Sequence, residues 1–218
     1  DLAAMGFRTL ILEKGLALGG GFWSGGYLMN KATLCEPANT ILEELHVPCK
    51  PIQECAGMTI VDPPHATARL IAAAYEAGAK VLNLTKVVDL ILRDKGVLEG
   101  VVVNNTTAEM ADHDVIHVDP IALESKVVVD ATGHDAIVVD LLHRRNLYQP
   151  VPGNGGMWVA RSEAMVVDNT REVYPNCFVA GLAVAAVDGS PRMGPAFGSM
   201  LLSGRQAAQL VRRKLKGE

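Results

Sequence analysis

Apolar residues recur along the chain with two periods, and the switches between them mark out strands and helices. Arg8 to Leu12 is a short apolar run closed by Glu13 and followed by LGGGFWSGG, the pattern of a buried parallel strand delivering its carboxyl end to a loop. Between Glu36 and His46, the residues Ala38, Ile41, Leu42 and Leu45 form a helical stripe that Pro48 ends. Asp62, standing before two prolines, caps a helix from Pro63 that Gly78 stops, and a strand follows at Lys80 to Leu84. Val87 to Arg93 and Val97 to Asn104, joined around Lys95 and Gly96, carry a hairpin signal. Lys126 to Asp130 is a second buried strand, and it enters ATGHDAIVVDLLHRR as a strand-to-helix turn. After a glycine-rich stretch around Pro152 to Gly156, the pattern predicts a strand at Cys177 to Ala180 and a long amphipathic helix at Pro195 to Lys216.

Strands alternating with helices imply an α/β chain built on an open, mostly parallel sheet, with the hairpin as a small antiparallel layer. Residues 1–218 then read as one dinucleotide-binding domain with an antiparallel insertion around residues 85–120. The opening DLAAMGF has the look of a last helical turn closed by Gly6, so the first strand of the βαβ unit is expected ahead of Asp1. The 49% apolar content excludes a disordered chain, and no uncharged apolar run reaches the roughly 18 residues a bilayer demands. Twenty basic against 24 acidic residues, a net charge of −4, gives no electrostatic footing for nucleic acid or a membrane surface. Cys35, Cys49, Cys55 and Cys177 include no CxxC pair, and reduced thiols in a cytoplasm are the simplest reading.

Chemistry can gather at the two strand ends. Glu13 stands where the second strand of a dinucleotide-binding unit places a carboxylate for a ribose diol, the alternative being a solvated loop charge. Gly19, Gly20 and Gly21 permit either backbone approach to a phosphate or simple loop flexibility. In DHDVIHVDP, His117 and Asp119 lie two apart in an extended stretch and share one face, while His134 follows Gly133 at the end of the second buried strand. Two imidazoles and a carboxylate suit Fe(II), Zn or Mn; equally, Asp119 can cap a turn and His134 can pack on its helix. Arg192 in DGSPRMGPAFGSM can fork onto an anionic substrate group or pair with Asp188. His46, His65, His113 and His143 lack comparable context, and Met29, Met58 and Trp158 read as packing residues.

Taken together, LEKGLALGGG, HDVIHVDP, VVDATGHDA, NTREVYP and DGSPRMGPAFGSMLLSG resemble the thiamine thiazole synthase family in its archaeal-type, sulfide-using branch, from Glu13 to about Ala208. The resemblance implies a Rossmann-like FAD/NAD(P)-binding fold in which NAD is consumed as a substrate. It condenses with glycine and sulfide, with Fe(II) serving the sulfur step, to give ADP-5-ethyl-4-methylthiazole-2-carboxylate for thiamine diphosphate. It also implies that Glu13 and Lys14 lie along the adenosine ribose, Gly21 near the phosphates and Val87 beside the adenine, with His117, Val118 and Leu182 lining the nucleotide and substrate pocket. Asp119 and His134 are the implied iron ligands, shared across a subunit boundary of a homo-oligomer, an octamer in the family, and Arg192 holds the glycine carboxylate. Relatives that sacrifice their own sulfur carry cysteine where this chain has His117, so sulfide is expected to be imported.

Three rival readings stand beside it. The AGLAVAAVDG segment, read as a strand, and the GPAFGSMLLSG helix after it also resemble the closing element of FAD-dependent oxidoreductases. Ribose-1,5-bisphosphate isomerisation needs a bisphosphate site, and Lys and Arg cluster only on the C-terminal helix. A non-catalytic nucleotide-binding paralogue would hold NAD without turning it over.

Overall fold

The computed structural model describes residues 1–25, 30–110, 118–152, 155–192 and 197–218, the side chains of Lys95, Glu109 and Arg192 excepted. His117 and the 193–196 part of the RMGPAFG segment lie outside the described residues.

In chain order the elements are β1 (Leu10–Leu12), β2 (Ala32–Cys35), α1 (Asn39–Glu44), β3 (Lys50–Pro51), β4 (Met58–Val61), α2 (Pro63–Glu76) and β5 (Lys80–Leu82). Then come the long strands β6 (Thr85–Arg93) and β7 (Val97–Asn105), then β8 (Ile121–Glu124), β9 (Val128–Asp130), α3 (Ile137–Arg144), β10 (Gly155–Met157) and α4 (Val159–Asp168). The chain closes with β11 (Arg171–Tyr174), β12 (Cys177–Val179), α5 (Leu182–Asp188), β13 (Pro191–Arg192) and α6 (Phe197–Lys216). Two parallel pairs, β1 with β5 and β9 with β12, carry the dinucleotide-type architecture, and β11 adds antiparallel to β12. The expected hairpin is present: β6 and β7 pair from Thr85 opposite Asn105 to Arg93 opposite Val97, and β8 extends them. A second antiparallel sheet, β2–β4–β3, a parallel β10–β13 pair and helices α4 and α5 were not anticipated.

Local chemistry accounts for the helix starts. Asp62 caps α2 by accepting the His65 N–H at 2.8 Å, with Pro63 in the first turn where no N–H is needed. The start of α3 is held from eight residues upstream. Asp130, with no solvent exposure, accepts Val138 N–H at 2.9 Å and Val139 N–H at 3.1 Å on one oxygen. Its other oxygen accepts the Thr132 N–H and hydroxyl at 3.0 and 2.7 Å, and Thr132 Oγ1 in turn accepts the Ile137 N–H at 2.8 Å. The first three orphan donors of the helix are thereby satisfied, which a buried helix end requires.

Two apolar clusters fill the interior. The larger joins Leu98, Val101 and Val103 of the hairpin to Val139 and Leu142 of α3, Val166 of α4 and Val179 and Val184 of the β12–α5 unit. The smaller sets Phe22, Leu34, Leu42, Val61 and Ala66 around Phe197, whose ring stacks on Phe22 at 4.5 Å. Met200 packs against both and ties them together through α6. That approach needs a glycine: a Cβ on Gly198 would lie 3.1 Å from Ala38 Cβ and 3.3 Å from Cys35 N. Beneath α6, Thr170 Oγ1 donates to Val166 O at 2.7 Å, Ser203 donates to Thr170 at 2.6 Å, and Gly181 N–H donates to Ser203 Oγ at 2.8 Å. The chain of bonds fixes the turn that leads from β12 into α5.

Replacing Asp130 by Ala leaves buried donors without an acceptor and should cost about 3 kcal/mol in urea unfolding, with Asp130→Asn costing about half as much. Equal stability of D130A and wild type would show that the carboxylate does not organise α3.

Candidate functional site

The carboxyl ends of β1 and β9 come together. At the end of β1 the chain is pinned by backbone bonds: Glu13 N–H to Leu82 O and Thr85 N–H to Glu13 O, both at 2.9 Å. Glu13 Oε1 accepts the Gly15 N–H at 2.6 Å, so this side chain shapes its own turn rather than floating in solvent. Thr106 Oγ1 donates to Lys14 O at 2.8 Å, Leu84 N–H to Gly15 O at 2.9 Å, and Asn83 Nδ2 to Leu16 O at 2.8 Å. At the end of β9 the Gly133–Asp135 turn runs between two left-handed residues, Gly133 at φ +79° and Ala136 at φ +39°. Lys14 Nζ and Asp135 Oδ2, 3.2 Å apart, bridge the two ends. One residue before Asp135, the exposed His134 ring makes no hydrogen bond or ion pair among the described residues.

The other expected residues fall into place unevenly. Gly19 is glycine for packing: at φ +104°, a Cβ there would meet Thr67 Cγ2 of α2 at 2.5 Å. Gly21, by contrast, faces open space. Val87 on β6 and Leu182 at the start of α5 are half-buried against the larger apolar cluster. Val118 and Asp119 are exposed just ahead of β8. Asp188, weighed as a partner for Arg192, is held in a fork by Arg171 at 2.7 and 2.9 Å. Trp158, expected as a packing residue, stands 57% exposed with the Arg161 guanidinium over its ring. The glycine-rich stretch ends in a strand, since Gly155–Met157 pairs with Pro191–Arg192 and so joins this region to the Arg192 backbone.

As to a metal, no three His, Cys, Asp or Glu side chains converge to hold an ion among the described residues. Asp119 and His134 nonetheless have the donor chemistry for Fe(II): one carboxylate and one imidazole, both exposed, leaving further positions for other ligands.

Two depressions lie elsewhere. The larger, about 520 Å³ and lined by Arg8, Glu99, Glu124, Ser125, Lys126 and Asn176, opens at the amino ends of β1, β9 and β12, opposite the expected residues. Doubly wound sheets bind ligands at the carboxyl ends, so the larger volume does not mark the site. The smaller, about 160 Å³, lies between β2, α4 and α6 and contains Cys35 and Glu163. The Cys35 thiol donates to Glu163 Oε2 at 3.3 Å. Burial, then the hydrogen bond to Glu163, then its charge, push the thiol up from its ordinary 9.0 to about 11. Nothing in the local sequence signals this contact, because its partners are 128 residues apart.

Alkylation of Cys35 by iodoacetamide at neutral pH should therefore be slow and should quicken in Glu163→Gln, read by peptide mass spectrometry. The folded chain holds this proton more tightly than the unfolded one, so stability is full below pH 9.0 and declines as pH rises towards about 11.

Comparison with known proteins agrees with the architecture. The model of the Thi4 family matches residues 1–197. The thiamine thiazole synthase of Aeropyrum pernix is 49% identical over 214 residues, covering 98% of this chain and 78% of that protein. That of Methanothermobacter thermautotrophicus is 41% identical over 221 residues, covering 99% and 83%. The crystal structure of Thermovibrio ammonificans THI4 superposes with a TM-score of 0.91 at 37% identity, covering 99% of this chain and 83% of that one. PqsL of Pseudomonas aeruginosa, named as a probable FAD-dependent monooxygenase, reaches a TM-score of 0.55 at 12% identity, which shows a shared fold alone. With a Rossmann-like sheet, a family match over most of its length and relatives of this identity, the chain belongs to the Thi4 family, whose relatives are thiamine thiazole synthases.

Proposed function

We propose that the protein converts NAD and glycine, with imported sulfide and Fe(II), into ADP-5-ethyl-4-methylthiazole-2-carboxylate for thiamine diphosphate synthesis. The observation that carries this reading is the meeting of the two strand ends. His134, an imidazole without a hydrogen bond or ion pair among the described residues, sits one residue from the bridge that reaches Lys14, itself next to Glu13. On this reading the residues for nucleotide and for metal are neighbours, which suits a reaction on an opened dinucleotide.

Glu13 keeps one oxygen on Gly15 N–H and presents the other to the two hydroxyls of the adenosine ribose. Gly21 offers an open backbone to the diphosphate, Val87 meets the adenine through its backbone, and Val118 and Leu182 supply apolar wall. Arg192 forks onto the glycine carboxylate, fixing the amine near the opened ribose. Fe(II), when bound by Asp119 and His134, supplies the Lewis acidity for sulfur delivery. His117 has no sulfur to give, and an imidazole beside the nucleotide suits proton transfer.

Asp119 is proposed to reach the metal of a neighbouring copy in a homo-oligomer, an octamer on the family pattern. Val118 and Ile121, which flank it, are 42% and 62% exposed, the apolar surface a subunit contact would cover. A cytoplasmic location is proposed from the four cysteines, all free thiols, and no helix among the described residues is long and apolar enough to cross a membrane.

The test is anaerobic incubation with NAD, glycine, Fe(II) and sulfide, followed by mass analysis for the adenylated thiazole carboxylate. Product is expected to vanish on chelation of iron and to fall by about two orders of magnitude or more in His134→Ala. His117→Cys should gain a slow sulfide-independent turnover in which the protein itself loses sulfur. No thiazole from wild type, with a yellow protein as purified, would instead favour a flavin enzyme.

A further inference from the structure

Lys14 and Asp135 form the one ion pair or side-chain hydrogen bond between residues 13–16 and residues 131–136 among the described residues. The loop around Lys14 and the two ends of the turn around Asp135 are firm without that bridge. The loop around Lys14 is held through Glu13 Oε1, Thr106, Leu84 and Asn83, and the turn around Asp135 through Asp130 and Thr132. The adjustable part is the bridge: Lys14 is 65% exposed and Asp135 58%, so water competes for both and the pair is held weakly. The ribose read along Glu13 and Lys14 is joined to a diphosphate, whose negative charges and several acceptor oxygens lie next along the nucleotide from an ammonium that a single carboxylate now occupies. The turn behind Asp135 also carries strain to release, since Ala136 sits at φ +39° with a Cβ.

We propose that the Lys14–Asp135 pair is a latch opened by the nucleotide. Its phosphate oxygens draw Lys14 away, Asp135 is released, and the turn bearing His134 leaves the position it holds in the free protein. Asp135 is in this sense a positioning residue, acting through the His134 turn. The inference rests on reading Glu13 and Lys14 as the nucleotide edge. Because opening the latch opposes nucleotide binding, its removal must tighten that binding, whereas loss of a merely structural contact would weaken it.

The experiment uses ADP as the probe, titrated calorimetrically into wild type, Lys14→Met, Asp135→Asn and the double variant. D135N should bind ADP about two- to fivefold more tightly than wild type. K14M should bind more weakly, and D135N should add nothing in the K14M background. Amide exchange over residues 133–137 should quicken when wild type takes up ADP; in D135N it should already be fast and indifferent to ADP. Asp135→Ser serves as a second variant should D135N fold poorly. Wild-type binding of ADP with D135N no tighter, or weaker, overturns the latch alone. Failure of wild type to bind ADP overturns the nucleotide edge and the latch with it.

Discussion

Asp130 has no contact with solvent, and both of its oxygens are engaged at the point where β9 ends and α3 begins. A buried carboxylate is stable only while its acceptor capacity is met, and here it is met by the very donors that a helix start leaves orphaned. The result is a turn whose two ends have little room to vary. Thr132 is tied back to the strand, α3 is aimed away from it, and the residues between are pushed into left-handed geometry at Gly133 and Ala136. His134 and Asp135 are displayed on that turn. Their exposed positions are thus a by-product of satisfying a buried one.

The same logic distributes function across the sheet. Strands β1 and β9, each in a parallel pair of its own, bring their carboxyl ends within reach of the Lys14–Asp135 bridge, and Thr106, just after the hairpin β6–β7, braces the Lys14 loop. The helices do the packing: α3, α4 and α5 close the larger apolar cluster, while α6 spans both clusters through Met200. Its contact with the β2 end depends on a missing side chain at Gly198. Membership of the Thi4 family adds the chemistry that this architecture serves, thiamine thiazole synthesis.

Much of this was legible in the order of residues. Asp62 with Pro63, the hairpin, the VVD strand of β9 and the amphipathic α6 all declare themselves by caps or periods, which are local. The helix read over Glu36 to His46 proved shorter, Asn39–Glu44, because Pro37 precedes it and His46 takes a left-handed φ of +58°. Sheet β2–β4–β3 escaped because its strands are two to four residues long, too few to establish alternation, and one of them contains a proline. At the candidate site, Glu13 and His134 could be picked out by their place after strands. The Lys14–Asp135 bridge and the Cys35–Glu163 contact could not, since each joins residues more than a hundred positions apart.

The thiols have a bearing on the proposed chemistry that their packing makes plain. Cys35 is pushed up by burial and by Glu163, and the fully buried Cys177 is pushed higher still, chiefly by burial. Neither becomes an anion at neutral pH, and only the anion attacks carbonyl carbon or captures a soft metal. In the reaction proposed above, with sulfide, ferrous iron and an opened sugar, these two sulfur atoms would stay protonated, leaving the dissolved donor without internal competition from them.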